Sequence, residues 1–77
     1  MSRLALRFGA TAPPIMEQLE EQGFRLPAIE LLGFQADTHA VSRLYIRGIL
    51  TKREADAAHR RLFKRIERVL KQEGGAS

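Results

Sequence analysis

The chain has 77 residues, 44% of them apolar, with four Phe, one Tyr, no Trp and no Cys. That length makes one domain at most, burying about 60–65% of its unfolded surface, and the lack of cysteine excludes a disulfide framework, a thiolate zinc site and a redox motif. The formal charge of +4 is uneven: residues 1–38 carry three Arg against five acidic side chains, residues 39–77 ten Lys or Arg against four. The second half therefore asks for an acidic partner or an acidic surface of the protein's own.

No apolar run approaches the roughly 20 residues of a membrane span, and the N-terminus lacks the apolar core of a signal peptide. A soluble, cytoplasmic protein that makes no membrane contact is expected. So marginal a core also predicts a homodimer or a docked protein partner.

In chain order, residues 1–12 read as an extended arm. Leu4, Leu6 and Phe8 alternate with Arg3, Ala5 and Arg7, which is strand periodicity over too short a length to stand alone. Pro13 and Pro14 then open a helix over 13–22, because the first turn has amides without intrahelical partners and loses nothing to proline. Thr11 makes a poor N-cap, since the amides its hydroxyl would meet belong to the two prolines. Ile15, Met16 and Leu19 face inward, while Glu17, Glu20 and Glu21 form an outward acidic patch. Gly23 ends the helix, with Phe24 and Leu19 spaced for the contact of a Schellman ending.

Pro27 restarts the chain as a helix over 27–47. Ile29, Leu32, Ala36, Ala40 and Leu44 are read as its inner stripe, widened by Leu31, Phe34, Val41 and Tyr45. Gly33 interrupts its interior at a cost of about 1 kcal/mol relative to Ala, and a continuous helix is expected despite it. Gly48 is suited to the left-handed C-terminus of this helix. Thr51 and Glu54, three apart, then form a capping box for the next one. Ile49 and Leu50 are expected to be buried at the joint, and so short a link makes the flanking helices antiparallel.

The last helix spans 52–71. Ala55, Ala58, Leu62, Ile66 and Val69 form its inner stripe with Phe63 and Leu70 on the flank, and its outer face carries Arg60, Arg61, Lys64, Arg65, Arg68 and Lys71. Residues 74–77 read as a flexible tail. The fold class is thus all-α: one three-helix domain with a long antiparallel hairpin and a short extended N-terminal arm.

The corner Gly48-Ile49-Leu50-Thr51-Lys52-Arg53-Glu54-Ala55, followed by Arg60-Arg61-Leu62, resembles the short C-terminal helical hairpin domain called SHOCT, whose pattern runs Gly, two aliphatics, Thr or Ser, two polar residues, Glu. The likeness covers residues 41–66. It departs at Ala55, where the family has an aromatic, and at Ala58 and His59, where it has lysines. It implies an oligomerising or docking module without an active site.

The residues give little to catalysis. The serines are Ser2, Ser42 and Ser77, and neither histidine forms a nucleophile motif with them. Asp56 and His59 have the spacing of one arm of a carboxylate–histidine metal site. The simpler reading pairs Asp56 with Arg60 at i, i+4 and puts His59 at the core edge; His39 has no better case. Gly74-Gly75 follows a helix instead of opening one, so it cradles no phosphate. No enzyme, cofactor, metal or small-molecule substrate is expected.

Two binding readings remain. A regulator or inhibitor of the kind mobile elements encode would dock on a protein through the apolar stripe of residues 29–46 and the split charge. The alternative lays the basic face of the last helix along nucleic-acid phosphates, where guanidinium forks bind well. Tyr45 and Phe63 are read as core, so no stacking aromatic accompanies that charge. An arm strand carrying Arg3 and Arg7 also resembles the ribbon of ribbon-helix-helix dimers, implying paired strands in a major groove.

Overall fold

The structure, a computed structural model, describes residues 4–9 and 11–75, with side chains as far as Gln72. Arg3, Ala10 and the last two residues of the expected tail lie outside that range. Helices α1 (Ile15–Glu21), α2 (Ala28–Ile46) and α3 (Lys52–Gly75) follow one another, and no strand occurs among the described residues.

Contrary to the expected spans, Pro13 lies before α1, and Pro14 and Pro27 precede the first helical residue instead of lying within the helix. Pro14 (φ −56°, ψ 148°) and Pro27 (φ −56°, ψ 144°) are the N-caps themselves, in the extended conformation that proline's fixed φ favours. Their carbonyls accept the first helical bonds, from the Gln18 N–H at 3.2 Å and the Leu31 N–H at 2.9 Å. A proline has no side-chain oxygen for the next orphan amides. On α1 one of them is met from another helix: the Met16 N–H donates to Oε1 of Gln35 on α2 at 3.3 Å.

Two Schellman endings set the corners. Phe24 N–H donates to the Leu19 carbonyl at 2.9 Å and Gly23 N–H to that of Glu20 at 3.1 Å, with Gly23 at φ 82°. Ile49 N–H donates to the Leu44 carbonyl at 2.9 Å and Gly48 N–H to that of Tyr45 at 3.0 Å, with Gly48 at φ 77°. The capping box follows at once. Glu54 N–H donates to the Thr51 hydroxyl at 3.1 Å, and the Glu54 carboxylate accepts from the Thr51 N–H at 2.9 Å. Every orphan group at this corner that the sequence assigns a partner finds it.

The hairpin is antiparallel. Tyr45 and Ile46 share a cleft with Lys52 and Ala55, whereas Phe34 and Asp37, further back on α2, lie against Arg65, further on along α3. Ile15 and Leu19 of α1, Phe34 of α2 and Leu62 and Ile66 of α3 make the buried core, with Leu4, Leu6, Phe8, Phe24, Leu26, Leu31, Val41, Val69 and Leu70 packed on it.

Three expectations are corrected here. First, α3 continues through Gly74 to Gly75, so those residues extend the helix and are not part of a tail; nothing in the preceding turns interrupts its hydrogen-bonded ladder, and propagation costs little once a helix exists. Second, the inner face of α2 is the reverse of the expected one. Ile29, Leu32, Ala36, Ala40 and Leu44 all face solvent, and the core side carries Phe34 with Leu31 and Val41. Third, Ile49 at the joint is 63% exposed, Tyr45 46% and Met16, expected to face inward, 45%. Gly33 lies within an unbroken α2, as anticipated.

Candidate interaction surfaces

The arm is held by two side chains that the periodicity left unassigned. In α1 the apolar stripe from Ile15 continues at i+3, i+4 and i+7 to Gln18, Leu19 and Gln22, so two amides occupy stripe positions. Gln18 is only 4% exposed. Its Oε1 accepts from the Arg7 N–H at 2.7 Å, and its Nε2 donates to the carbonyls of Arg7 (3.0 Å) and Pro13 (2.8 Å). Gln22 repeats the device one turn on, with Oε1 accepting from the Ala5 N–H at 2.9 Å and Nε2 donating to the Ala5 carbonyl at 2.6 Å.

A side-chain amide is a peptide group in miniature, so each glutamine acts as one rung of a β-ladder. The spacing allows it: residues two apart on an extended chain are about 6.6 Å apart, residues four apart on a helix about 6 Å. The arm therefore runs antiparallel to α1, with Leu4, Leu6 and Phe8 turned to the core. This confirms an extended arm lying on the helices. The edge carrying Ala5 and Arg7 is occupied by the glutamines, which removes it from strand pairing of the ribbon-helix-helix kind. The signal was legible: a polar residue inside an apolar helical stripe must find buried hydrogen bonds.

Phe8 ends the arm by stacking on His59 of α3, ring centroids 4.8 Å apart and planes at 12°. His59 Nε2 is buried without a hydrogen-bond partner. Burial lowers the His59 pKa from its ordinary value, and the charge of Asp56 offsets this in part. Ser42, Asp56 and His59 line one open cleft of about 230 Å³ with Phe8, Tyr45 and Ile46. None of the three is hydrogen-bonded to another among the described side-chain bonds. Among the described residues no third metal-ligating side chain joins Asp56 and His59. His39 lies exposed on α2.

The basic face of α3 is assembled as its spacing predicts. Arg60, Arg61, Lys64, Arg65, Arg68 and Lys71 are all exposed, opposite the buried Ala55, Leu62 and Ile66. Arg65 is set apart from the rest. Its guanidinium lies 5.7 Å from the Phe34 ring centroid and 4.0 Å from Asp37, an exposed contact worth well under about 1 kcal/mol. This is the ion pair found among the described residues, and it replaces the expected Asp56–Arg60 pair. Glu17, Glu20 and Glu21 are exposed together on α1.

The remaining surface is the outward side of α2. Ile29 (83% exposed), Leu32 (69%), Gly33, Ala36, Ala40 and Leu44 form an apolar stripe directed away from α1 and α3, with Arg43 and Arg47 on the same side at its C-terminal end. Among the described residues, more large apolar side chains are exposed than are fully buried.

No protein-family model, curated protein or solved structure matches the chain. No helix among the described residues is long and apolar enough to cross a membrane.

Proposed function

We propose that the chain is a small non-enzymatic binding protein that works by docking on protein through the outward face of α2, as a regulator or inhibitor would. The observation that carries this reading is the stripe Ile29–Leu32–Ala36–Ala40–Leu44, apolar, continuous over about four helical turns and facing solvent. An amphipathic groove or another helix can bury such a face through i, i+3, i+4 and i+7 anchors. The likeness of the Gly48–Ala55 corner to SHOCT hairpins agrees in kind, since it too implies docking or oligomerisation.

A photoactivatable benzophenone side chain placed at Leu32, and separately at Lys64, tests the reading in an extract of the cells that make the protein. Polypeptide adducts from position 32 and none from position 64 are expected. Adducts from position 64 alone would overturn it.

The exposed cations of α3 favour a second reading, in which Arg60, Arg61, Lys64, Arg68 and Lys71 lie along nucleic-acid phosphates. Nuclease-sensitive adducts from position 64 would promote it over the first.

A further inference from the structure

We infer that the occupant of the α2 face is a second copy of this chain, its α2 packed antiparallel to the first about a two-fold axis near Ala36. This rests on the docking reading and names its partner.

The stripe is built to meet itself. Its bulky residues stand at the two ends, Ile29 and Leu32 at one and Leu44 at the other, with Gly33, Ala36 and Ala40 between them. In an antiparallel pair the ends of one helix lie beside the opposite ends of its mate, so large meets large at both extremes and small meets small at the middle. Small central residues let two helix axes approach to about 8 Å, the lower end of the usual range. A two-fold interface needs this kind of self-complementarity, each residue serving both sides.

Charge selects the direction. Arg43 and Arg47 lie toward the C-terminal end of the same outward side, and Glu30 borders its N-terminal end. A parallel copy would stack Arg43 and Arg47 on themselves. The antiparallel copy separates them and carries them to the end of its mate that holds Glu30, with Arg25 just beyond it, and it sets opposite helix dipoles side by side. The face is free to pair, because α1, α3 and the arm all pack on the other side of α2. The pairing would cover the apolar excess that the monomer exposes, and a chain this short gains from such help.

The 77-residue chain supplies the test, since it has no cysteine to interfere. Sedimentation equilibrium from 1 to 100 µM should give twice the 8.7 kDa chain mass. Ala36→Glu should weaken association by about 100-fold or more by facing two carboxylates across the axis, while circular dichroism stays helical because the position is exposed and Glu is a good helix former.

Single cysteines then read the direction. Ile29→Cys should not cross-link to itself, its two copies being about 22 Å apart, far beyond the roughly 7 Å that a disulfide spans. Mixed with Leu44→Cys it should cross-link, and Ala36→Cys should cross-link alone. A wild-type monomer at 100 µM overturns the proposal, as does a dimer indifferent to Ala36→Glu or a self-linking Ile29→Cys. The benzophenone at Leu32 separates the two failures. An adduct with a different protein leaves docking standing without the second copy, and no polypeptide adduct removes both.

Discussion

Gln18 is the side chain on which the arm depends most. It meets three backbone groups from within the apolar stripe of α1, and a buried group stripped of its partner costs about 1–3 kcal/mol. Gln18→Leu keeps much of the volume and removes every one of those bonds, so a loss of about 2–4 kcal/mol is expected, read as a lower urea midpoint. Amide exchange at residues 5–8 should rise by more than exchange in α3, because the arm is released before the hairpin opens. Equal acceleration throughout would mean that the arm is no separate unit. His59 gives the molecule a pH dependence of definite sign. Its pKa is lowered from 6.5, first by burial and against the pull of Asp56. The unfolded chain therefore takes up a proton more readily than the folded one. Stability is complete above about pH 6.5 and declines as pH falls through that value and on through the lower folded one. Protonation would also place a charged ring under Phe8 with Nε2 still lacking an acceptor. The urea midpoint should drop between pH 7.5 and pH 5, and His59→Phe should flatten that slope; a slope unchanged in the variant would assign it elsewhere.

At the scale of elements the same substitution has opposite signs at two glycines. Neither Gly33 nor Gly48 has an atom within 4 Å of an added Cβ, so sterics with neighbours do not decide. Gly48 is at φ 77°, where a side chain costs about 1–2 kcal/mol, and Gly48→Ala should lower the melting temperature; Gly48→Val should lower it further. Gly33 has ordinary helical φ, so Gly33→Ala should stabilise the helix by about 0.5–1 kcal/mol. Thermal unfolding of the two alanine variants reads both signs, and like signs would refute the assignment of the corner. That corner was legible because capping is local: Gly48, Thr51 and Glu54 need only each other and the adjacent backbone. The stripe and basic face of α3 were legible because polar and apolar residues segregate cleanly around that helix. α2 was misread for the contrary reason. It carries apolar residues on two opposite sides, Ile29–Leu32–Ala36–Ala40–Leu44 and Leu31–Phe34–Val41, so periodicity alone does not say which side meets the core. Packing decided it, Phe34 filling the centre with Ile15 and Ile66. The glutamine rungs were missed because their partners are backbone groups of a segment that periodicity treats as a separate element.

The molecule as a whole keeps its exposed apolar stripe and its basic face on different helices, and this makes them separable. The outward stripe of α2 carries no charge between Leu32 and Ala36, while the α3 face runs about 16 Å from Arg60 to Lys71 as a row of cations. Apolar burial responds little to moderate salt, whereas contacts to phosphates release counterions and weaken steeply with it. If five cations of α3 contact a duplex, affinity should fall roughly 500-fold between 50 and 200 mM salt. Arg61→Glu with Arg68→Glu should abolish that binding and leave the dimer mass unchanged. Ala36→Glu should do the reverse, returning monomers that still bind duplex, more weakly because two basic faces no longer act together. Fluorescence anisotropy with random duplex and sedimentation on the same samples report both quantities. Salt-insensitive binding, or none at 50 mM, would confine the cations to solvation and leave the α2 face as the surface that acts. Loss of both properties in either variant would show that the two faces are one interface, with the acidic Glu17, Glu20 and Glu21 of one chain meeting the basic face of another.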